Sequence, residues 1–427
     1  MPAVAIIGGQ WGDEGKGKIV DLLAEKADIV TRFSGGSNAG HTIVNQFGTF
    51  KLHLVPSGIF HANVDCMLGN GVVINPSVLI SEIENLEQNG INVGRIIISD
   101  RAHLIMPYHL LQDELEEKAR GAGVLGTTRQ GIGPAFTDKF ARIGIRTGDL
   151  LNRDFFRRRL RAIVNHKNDI LTKVFNSDPV SADEIYEQYC SYADRLLPFL
   201  KETSLILQEA LDDDQKLILE GAQGSMLDID YGTYPYVTSS PPTSWGACLG
   251  TGLSPNRIDQ IIGIYKAYTT RVGEGPMPSE LKDSIGEELR EKGSEYGTTT
   301  GRARRCGWFD AVSARFTSRL NGFTSMILTK FDILDTLPTI KICTGYDLDG
   351  TILTTPPANF TILEDCQCVC EEMPGWQTST ADIRRFADLP LSAQQYVKRI
   401  EELVGCPVHI VSVGAAREQS VIVNPIL

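Results

Sequence analysis

Hydrophobic residues in this chain come in short runs that stop at glycine or polar residues. "AVAIIGG" opens it, and "KIVDLLAEKA" follows with apolar positions at helical spacing, which predicts a strand, a Gly-rich loop and a helix. Comparable runs recur as "DIVTRF", "DCMLGNGVVI", "RIIISD", "KLILEGAQG", "IIGIYKAY", "SMILTKFD" and "VHIVSVG". Amphipathic stretches such as "PSVLISEIENLEQNG" and "LSAQQYVKRIEELVG" lie between them and end in glycine, a frequent helix stop. Strands alternating with helices predict an α/β fold with a large, mostly parallel central sheet flanked by helices.

The segment from about 105 to 210 breaks this rhythm. "YHLLQDELEEKARG", "LNRDFFRRRLRAIVNHKNDILTKVF" and "SADEIYEQYCSYADRLLPFLKETSLILQEALDDD" are charged and helical, which predicts a helical insertion within a single unit spanning 1–427. No internal repeat and no long linker interrupts it.

Composition narrows the function classes. The net charge of -12 disfavours nucleic acid as a partner but leaves room for a small anion held by a local cluster of cations. No apolar run reaches the ~18 residues of a membrane helix. No secretory signal opens the sequence, so the nine Cys are expected as reduced thiols in the cytosol. Three of them, in "CQCVC" (Cys366, Cys368, Cys370), would share one face of a strand, with a metal site the less favoured reading.

Four stretches carry candidate chemistry. In "GGQWGDEGKGKIV", Gly12, Gly17 and Lys18 fit the phosphate-loop pattern G-x-x-x-x-G-K-[ST], but Ile19 stands where a hydroxyl is expected. Gly8, Gly9, Gly12, Gly15 and Gly17 allow close backbone approach, and Lys16 and Lys18 add charge, so phosphate binding is the favoured reading. A plain strand–helix turn with Asp13 as the helix N-cap is the alternative. "SGGSNAGHT" offers Asn38 to orient a polar ligand and His41 as a general acid, or is only a Gly-rich hairpin. "LTKFD" resembles the [NT]-K-x-D guanine-reading motif. A carboxylate accepts from guanine N1–H and the 2-amino group, which adenine lacks; a surface Lys–Asp pair at a strand end is the alternative. "YGTTTGRARRCGW" sets Arg302, Arg304 and Arg305 after three Thr, which suits carboxylates or phosphates, or is a solvated basic turn.

Together, "QWGDEGKGKIVDLL", "GGSNAGHT", "GTTRQGIGPA", "EGAQGSMLDIDYGTYPYVTSS", "GTTTGRARRCGWFD" and "LTKFDILD" closely resemble the adenylosuccinate synthetase family, in order and over essentially the whole chain. The resemblance implies a P-loop-NTPase-like fold and a cytoplasmic, GTP-dependent ligase joining IMP and L-aspartate through 6-phosphoryl-IMP, with Mg2+. It implies Asp13 as the base and a magnesium ligand, the Gly40 carbonyl as a second ligand, His41 as the acid, and catalytic parts for Lys16 and Gln223. Implied GTP contacts are Gly12, Asp13, Glu14, Gly15, Lys16, Gly17, Lys18, Gly40, His41, Thr42, Arg304, Lys330, Phe331, Asp332, Ser412, Val413 and Gly414. Implied IMP contacts are Asp13, Glu14, Gly15, Lys16, Asn38, Ala39, Gly40, His41, Thr128, Gln223, Thr238 and Arg302, with Arg142 reaching IMP in the neighbouring subunit of a homodimer. Thr298, Thr299, Thr300, Gly301, Arg302, Ala303 and Arg304 match the loop closing on aspartate. Ser37, Gln130 and Ala303 stand where many relatives differ, which bears on aspartate affinity. A GTP-binding switch without ligase chemistry is the alternative function. It would use the phosphate loop and "TKFD" but not Asp13, His41 or the Thr/Arg loop.

Overall fold

The computed structural model describes residues 3–45, 47–297 and 301–426. Ten strands form one central sheet: β1 (Ala3–Gly8), β2 (Ile29–Arg32), β3 (Asp65–Leu68), β4 (Ile96–Ser99), β5 (Leu200–Lys201), β6 (Leu217–Glu220), β7 (Gln260–Lys266), β8 (Ser325–Thr329), β9 (Val408–Ser412) and β10 (Ser420–Ile422). Their spatial order is β10-β9-β8-β7-β1-β6-β2-β3-β4-β5. Every pair is parallel except β9 with β10. All eight apolar runs singled out in the sequence contribute a strand to this sheet.

A parallel sheet must be covered on both faces, which is why its strands read as unbroken apolar runs. Alternate residues of β1 point to opposite sides. Val4 and Ile6 pack with Ile19, Val20 and Leu23 of helix α1 (Lys16–Ala24). Ala3, Ala5 and Ile7 pack with Leu207 and Leu211 of the helix Thr203–Asp212. Each buried Val, Ile or Leu side chain among these contributes roughly 1.5–3 kcal/mol. The two amphipathic stretches are the helices Pro76–Gln88 and Leu391–Val404, the latter stopped by Gly405 in the left-handed region.

Between 105 and 210 run the helices Pro107–Ala119, Ile132–Ala141, Arg153–Lys173 and Ala182–Leu196, and Thr203–Asp212 begins. The same stretch also holds β5, which pairs with β4 at the sheet edge. A second, smaller sheet joins Phe309–Asp310, Thr339–Leu348, Thr351–Leu353 and Gln367–Pro374. Here the expectation for "CQCVC" is corrected. Cys366 precedes the strand and caps the short helix Phe360–Asp365, so only Cys368 and Cys370 share a strand face. All nine Cys are free thiols, and no described helix is long and apolar enough to cross a membrane.

One consequence of the parallel order positions the site. Strands β9, β8, β7, β1, β6 and β2 are neighbours and all end on the same sheet edge. The loops after them therefore line up side by side, where open α/β sheets bind ligands. Those loops include Ser412–Gly414, Lys330–Asp332, Gly9–Gly15, Gly221–Gln223 and Ser34–His41. The phosphate loop, "GGSNAGHT" and "LTKFD", scattered in sequence, therefore share one edge of the sheet.

Candidate functional site

The loop between β1 and α1 is built as an anion cradle. Gly15 caps α1 in the left-handed region, φ 83°, and has no side chain to cap the helix. This corrects the alternative that made Asp13 the cap. The first N–H groups of α1 are left for a ligand, and the helix dipole favours negative charge there. Asp13 is itself left-handed, φ 61°, which Asp tolerates better than most residues. Its neighbour Glu14 turns inward and is fully buried. The Glu14 carboxylate accepts from the N–H groups of Gln10 (3.1 Å) and Gly12 (2.8 Å), and Lys16 Nζ meets it at 2.5 Å. The second negative charge in the loop is thus a neutralised internal staple. Lys16 also donates to the Gln223 carbonyl at 2.6 Å. Lys18 donates to Ser412 Oγ (2.7 Å) and the Gly414 carbonyl (2.8 Å), so the β9 loop is tied to α1. Burial brings the Lys18 ammonium down to about 8, against the pull of Asp332 and Glu418.

One cavity of about 1070 Å³ collects most of the expected residues. Its walls include Gly12, Asp13, Gly15, Lys16, Gly17, Lys18, Asn38, Ala39, Gly40, His41, Thr42, Thr128, Gln223, Thr238, Gly301, Arg302, Arg304 and Lys330. Gln223 is left-handed, φ 57°, and accepts from Ser240 Oγ at 3.1 Å. Its amide nitrogen lies 3.4 Å from Asn38 Oδ1, joining the β6 and β2 loops. His41 packs on Gly17, where a Cβ would lie 3.0 Å from the ring, so a side chain there would crowd the imidazole against α1. Among the described residues His41 Nε2 has no hydrogen-bond partner, and it lies 3.9 Å from the Glu220 carboxylate.

Burial, then Arg32, His53 and Lys16, push the His41 imidazole down to about 3. In the free protein it is neutral at pH 7, and its ring resonances are expected to stay constant from pH 8 to pH 5. Titration near the ordinary 6.5 in an NMR pH series would contradict this arrangement. Because the folded value lies below the unfolded one, the unfolded chain takes the proton first. The associated stability is present above about 6.5 and is lost as pH falls toward 3.

Also in the cavity lining, Arg304 bridges Asp13 Oδ1 (3.0 Å) and Glu295 Oε2 (2.6 Å). Lys330 follows β8 in the left-handed region, φ 54°, and begins the short turn Phe331–Leu334. Asp332 is partly buried near Lys18 and Lys330, and burial raises its carboxyl above the ordinary value. Phe331 points the other way, fully buried and stacked on Trp376 with ring centroids 4.6 Å apart. Its side chain anchors the turn, which leaves only its backbone to face a nucleotide. Val413 is likewise buried in the core.

Arg142 lies elsewhere. It is exposed at the end of the helix Ile132–Ala141 and lines a separate cavity of about 470 Å³ with Arg158, Arg159 and His166. Thr298, Thr299 and Thr300 lie outside the described residues. Ser37 donates to Gln130 at 3.4 Å, so two of the departures from relatives meet each other.

Several cavity residues went unnoticed in the sequence. Arg32 ends β2 fully buried and donates to the carbonyls of Ser34 (3.2 Å) and Gly36 (3.0 Å), which holds the "GGSNAGHT" loop. Glu117 accepts from the N–H groups of Gly126 (2.6 Å) and Thr127 (3.2 Å) beside Thr128. Arg271 is buried against Tyr236 and Pro276, and burial lowers its guanidinium to about 9. An arginine closing an apolar strand, as in "DIVTRF", was the available signal for Arg32; Glu117 reads as an ordinary helix surface charge.

Among the described residues no group of three or more His, Cys, Asp or Glu could hold a metal ion alone. The cavity offers the Asp13 carboxylate and the Gly40 carbonyl. Two oxygen donors suit a hard cation such as Mg2+, which keeps waters and takes its other ligands from substrate phosphates.

The adenylosuccinate synthetase family profile matches residues 5–421. The chain is 56% identical over 421 residues to an adenylosuccinate synthetase of Dehalococcoides mccartyi, covering 99% of this chain and 100% of that protein. It is 52% identical to one of Heliobacterium modesticaldum, covering 99% of each. Among solved structures, the fully ligated adenylosuccinate synthetase of Plasmodium falciparum superposes with a TM-score of 0.92 at 37% identity, covering 98% of this chain and 99% of that one.

Proposed function

The chain belongs to the adenylosuccinate synthetase family and is a GTP-dependent ligase that joins IMP and L-aspartate; we propose that its cavity divides this work among the residues as follows. The observation that carries the reading is the meeting of Asp13, His41, Gln223 and Lys330 in the lining of one cavity, in loops that follow four strands. A purine O6 is a poor nucleophile while N1 holds its proton. Asp13 removes that proton, and O6 attacks the γ-phosphate of GTP to give 6-phosphoryl-IMP and GDP. The amine of aspartate then attacks C6, the C6–O bond breaks and phosphate leaves.

Phosphoryl transfer asks the protein for alignment and charge neutralisation more than for covalent help. Lys16 and the α1 N-terminus face the phosphates. His41 donates from Nε2 to the transferring group; burial, with Arg32, His53 and Lys16, holds its imidazole neutral, and the arriving phosphates offset those cations. Gln223 and Asn38 orient the hypoxanthine, while Thr128, Thr238 and Arg302 take the rest of IMP. Mg2+ would be held by the Asp13 carboxylate and the Gly40 carbonyl, and when bound it neutralises phosphate charge. Lys330 and Asp332 read guanine, and Gly301 to Arg304 take the carboxylates of aspartate. We also propose a cytoplasmic homodimer with Arg142 acting on the partner's IMP. Exposed Arg142 and the exposed neighbours Phe140, Leu151 and Phe155 support that reading.

The switch alternative is set aside by the family. The test is a spectrophotometric assay with IMP, aspartate, Mg2+ and either GTP or ATP. Wild-type protein should form adenylosuccinate with GTP, and GTP hydrolysis without product would overturn the assignment. Asp332→Asn should shrink the GTP-over-ATP preference by on the order of 100-fold, because the buried acceptor pair for guanine is gone. An unchanged preference would remove Asp332 from its role.

A further inference from the structure

Glu295 takes no part in the reaction described above, yet it is among the most heavily engaged charges in the protein. Its side chain is fully buried. Its carboxylate meets Lys266 Nζ at 2.8 Å, Arg304 Nη1 at 2.6 Å and Lys330 Nζ at 3.1 Å, and accepts from the Tyr268 hydroxyl. Burial alone would raise this carboxyl, but Lys266, Lys330 and Arg304 outweigh it and hold it well below the usual range. A burial this costly persists only when the partners are in place.

The backbone around Glu295 explains what it connects. It lies on the stem of the Arg/Thr-rich loop. Arg304 N donates to the Glu295 carbonyl at 2.8 Å, and Gly297 N donates to the Arg302 carbonyl at 2.8 Å. Oε2 of the carboxylate is anchored to the sheet by Lys266, the last residue of β7, which is itself held by Thr270 Oγ1 at 2.6 Å. That same oxygen, Oε2, also meets Arg304 of the amino-acid loop, while Oε1 meets Lys330 of the guanine-reading turn, so the carboxylate holds two cations from different subsites. Lys330 also donates to the carbonyl of Gly293 on the same stem. Arg304 in turn meets Asp13.

We infer that Glu295 is a positioning residue that couples the guanine subsite to the aspartate subsite by holding Lys330 and Arg304 on one buried carboxylate. The inference rests on the roles given above to Lys330 and Arg304. A nucleotide that seats well against Lys330 sets the Glu295 carboxylate, which sets the direction of Arg304. A poorly seated purine leaves Arg304 misdirected, so base recognition is felt at the amino-acid site. The reach is short and continuous, through two ion pairs and one loop stem.

The test compares Glu295→Gln, Glu295→Asp and Arg304→Gln with the wild-type enzyme by initial-rate kinetics, with thermal unfolding to follow folding. Glu295→Gln is expected to raise KM for GTP and for aspartate together, each on the order of tenfold, while KM for IMP stays within about twofold. Aspartate KM measured with GTP and with ITP should differ in the wild-type enzyme and become equal in Glu295→Gln. A structural defect alone would lower the amount of active enzyme without separating the three substrates. Should Glu295→Gln fail to fold, Glu295→Asp keeps the charge and should show the same split at smaller size. A rise in aspartate KM for Arg304→Gln with neither Glu295 variant separating the substrates would overturn the coupling but keep the site. An unchanged aspartate KM in Arg304→Gln would overturn the site reading, and the coupling with it.

Discussion

Asp13→Asn is expected to lower kcat by about 1,000-fold or more while leaving the fold intact. General base catalysis alone is worth ~10²–10⁴-fold, and the same carboxylate is one of the two oxygen donors suited to Mg2+. Asn is the right replacement because position 13 is left-handed, φ 61°, a conformation that Asn accepts and Ala resists. Asp13→Ala would combine loss of the base with backbone strain, and its failure would say less. The change also removes the 3.0 Å ion pair to Arg304. Arg304 keeps Glu295, so the loop stem should hold, and Tm is expected to move little. The measurements are single-turnover phosphoryl transfer, Tm and GTP binding. A variant that keeps a tenth or more of wild-type kcat would end the assignment of Asp13 as base.

The second large effect is expected across a subunit boundary. Arg142→Leu should raise KM for IMP on the order of tenfold to a hundredfold, the range for losing a charged contact to an anion. Arg142 is exposed and lines a cavity apart from the main one, so the proposed contact to IMP would be made in another copy. Mixing Arg142→Leu with Asp13→Asn protein, two poorly active homodimers, would then give hybrids in which one site carries both defects and the other neither. Equal mixing makes half of the dimers hybrids, so about a quarter of wild-type activity should return. No recovery after verified subunit exchange would show that Arg142 serves its own chain.

Much of the fold was legible because parallel strands buried on both faces write themselves as apolar runs. The phosphate loop was legible because tight turns and close backbone approach demand glycine at set spacings. The turn at "LTKFD" was legible because an apolar run ends there in polar residues, and Lys330 does follow β8 in a tight turn. Other residues were not. Glu14 and Asp13 are adjacent carboxylates with the same sequence signature, but one is sealed inside the loop and the other lines the cavity. Phe331 sits in the middle of a recognition motif and yet packs against Trp376, a segment far along the chain. Cys366 belongs to an alternating run, but a helix ends on it.

The sequence alone determined which segments become strands, where their loops turn, and which residues have the chemistry to take a proton or hold a phosphate, since these depend on local conformational preference and side-chain type. Only the tertiary structure decided which charges are buried and what they meet. Arg32, Glu117, Arg271 and Glu295 look like ordinary charged residues until the sheet edge brings distant loops around them. Their meaning comes from desolvation and from partners far away in sequence, and no local pattern encodes either.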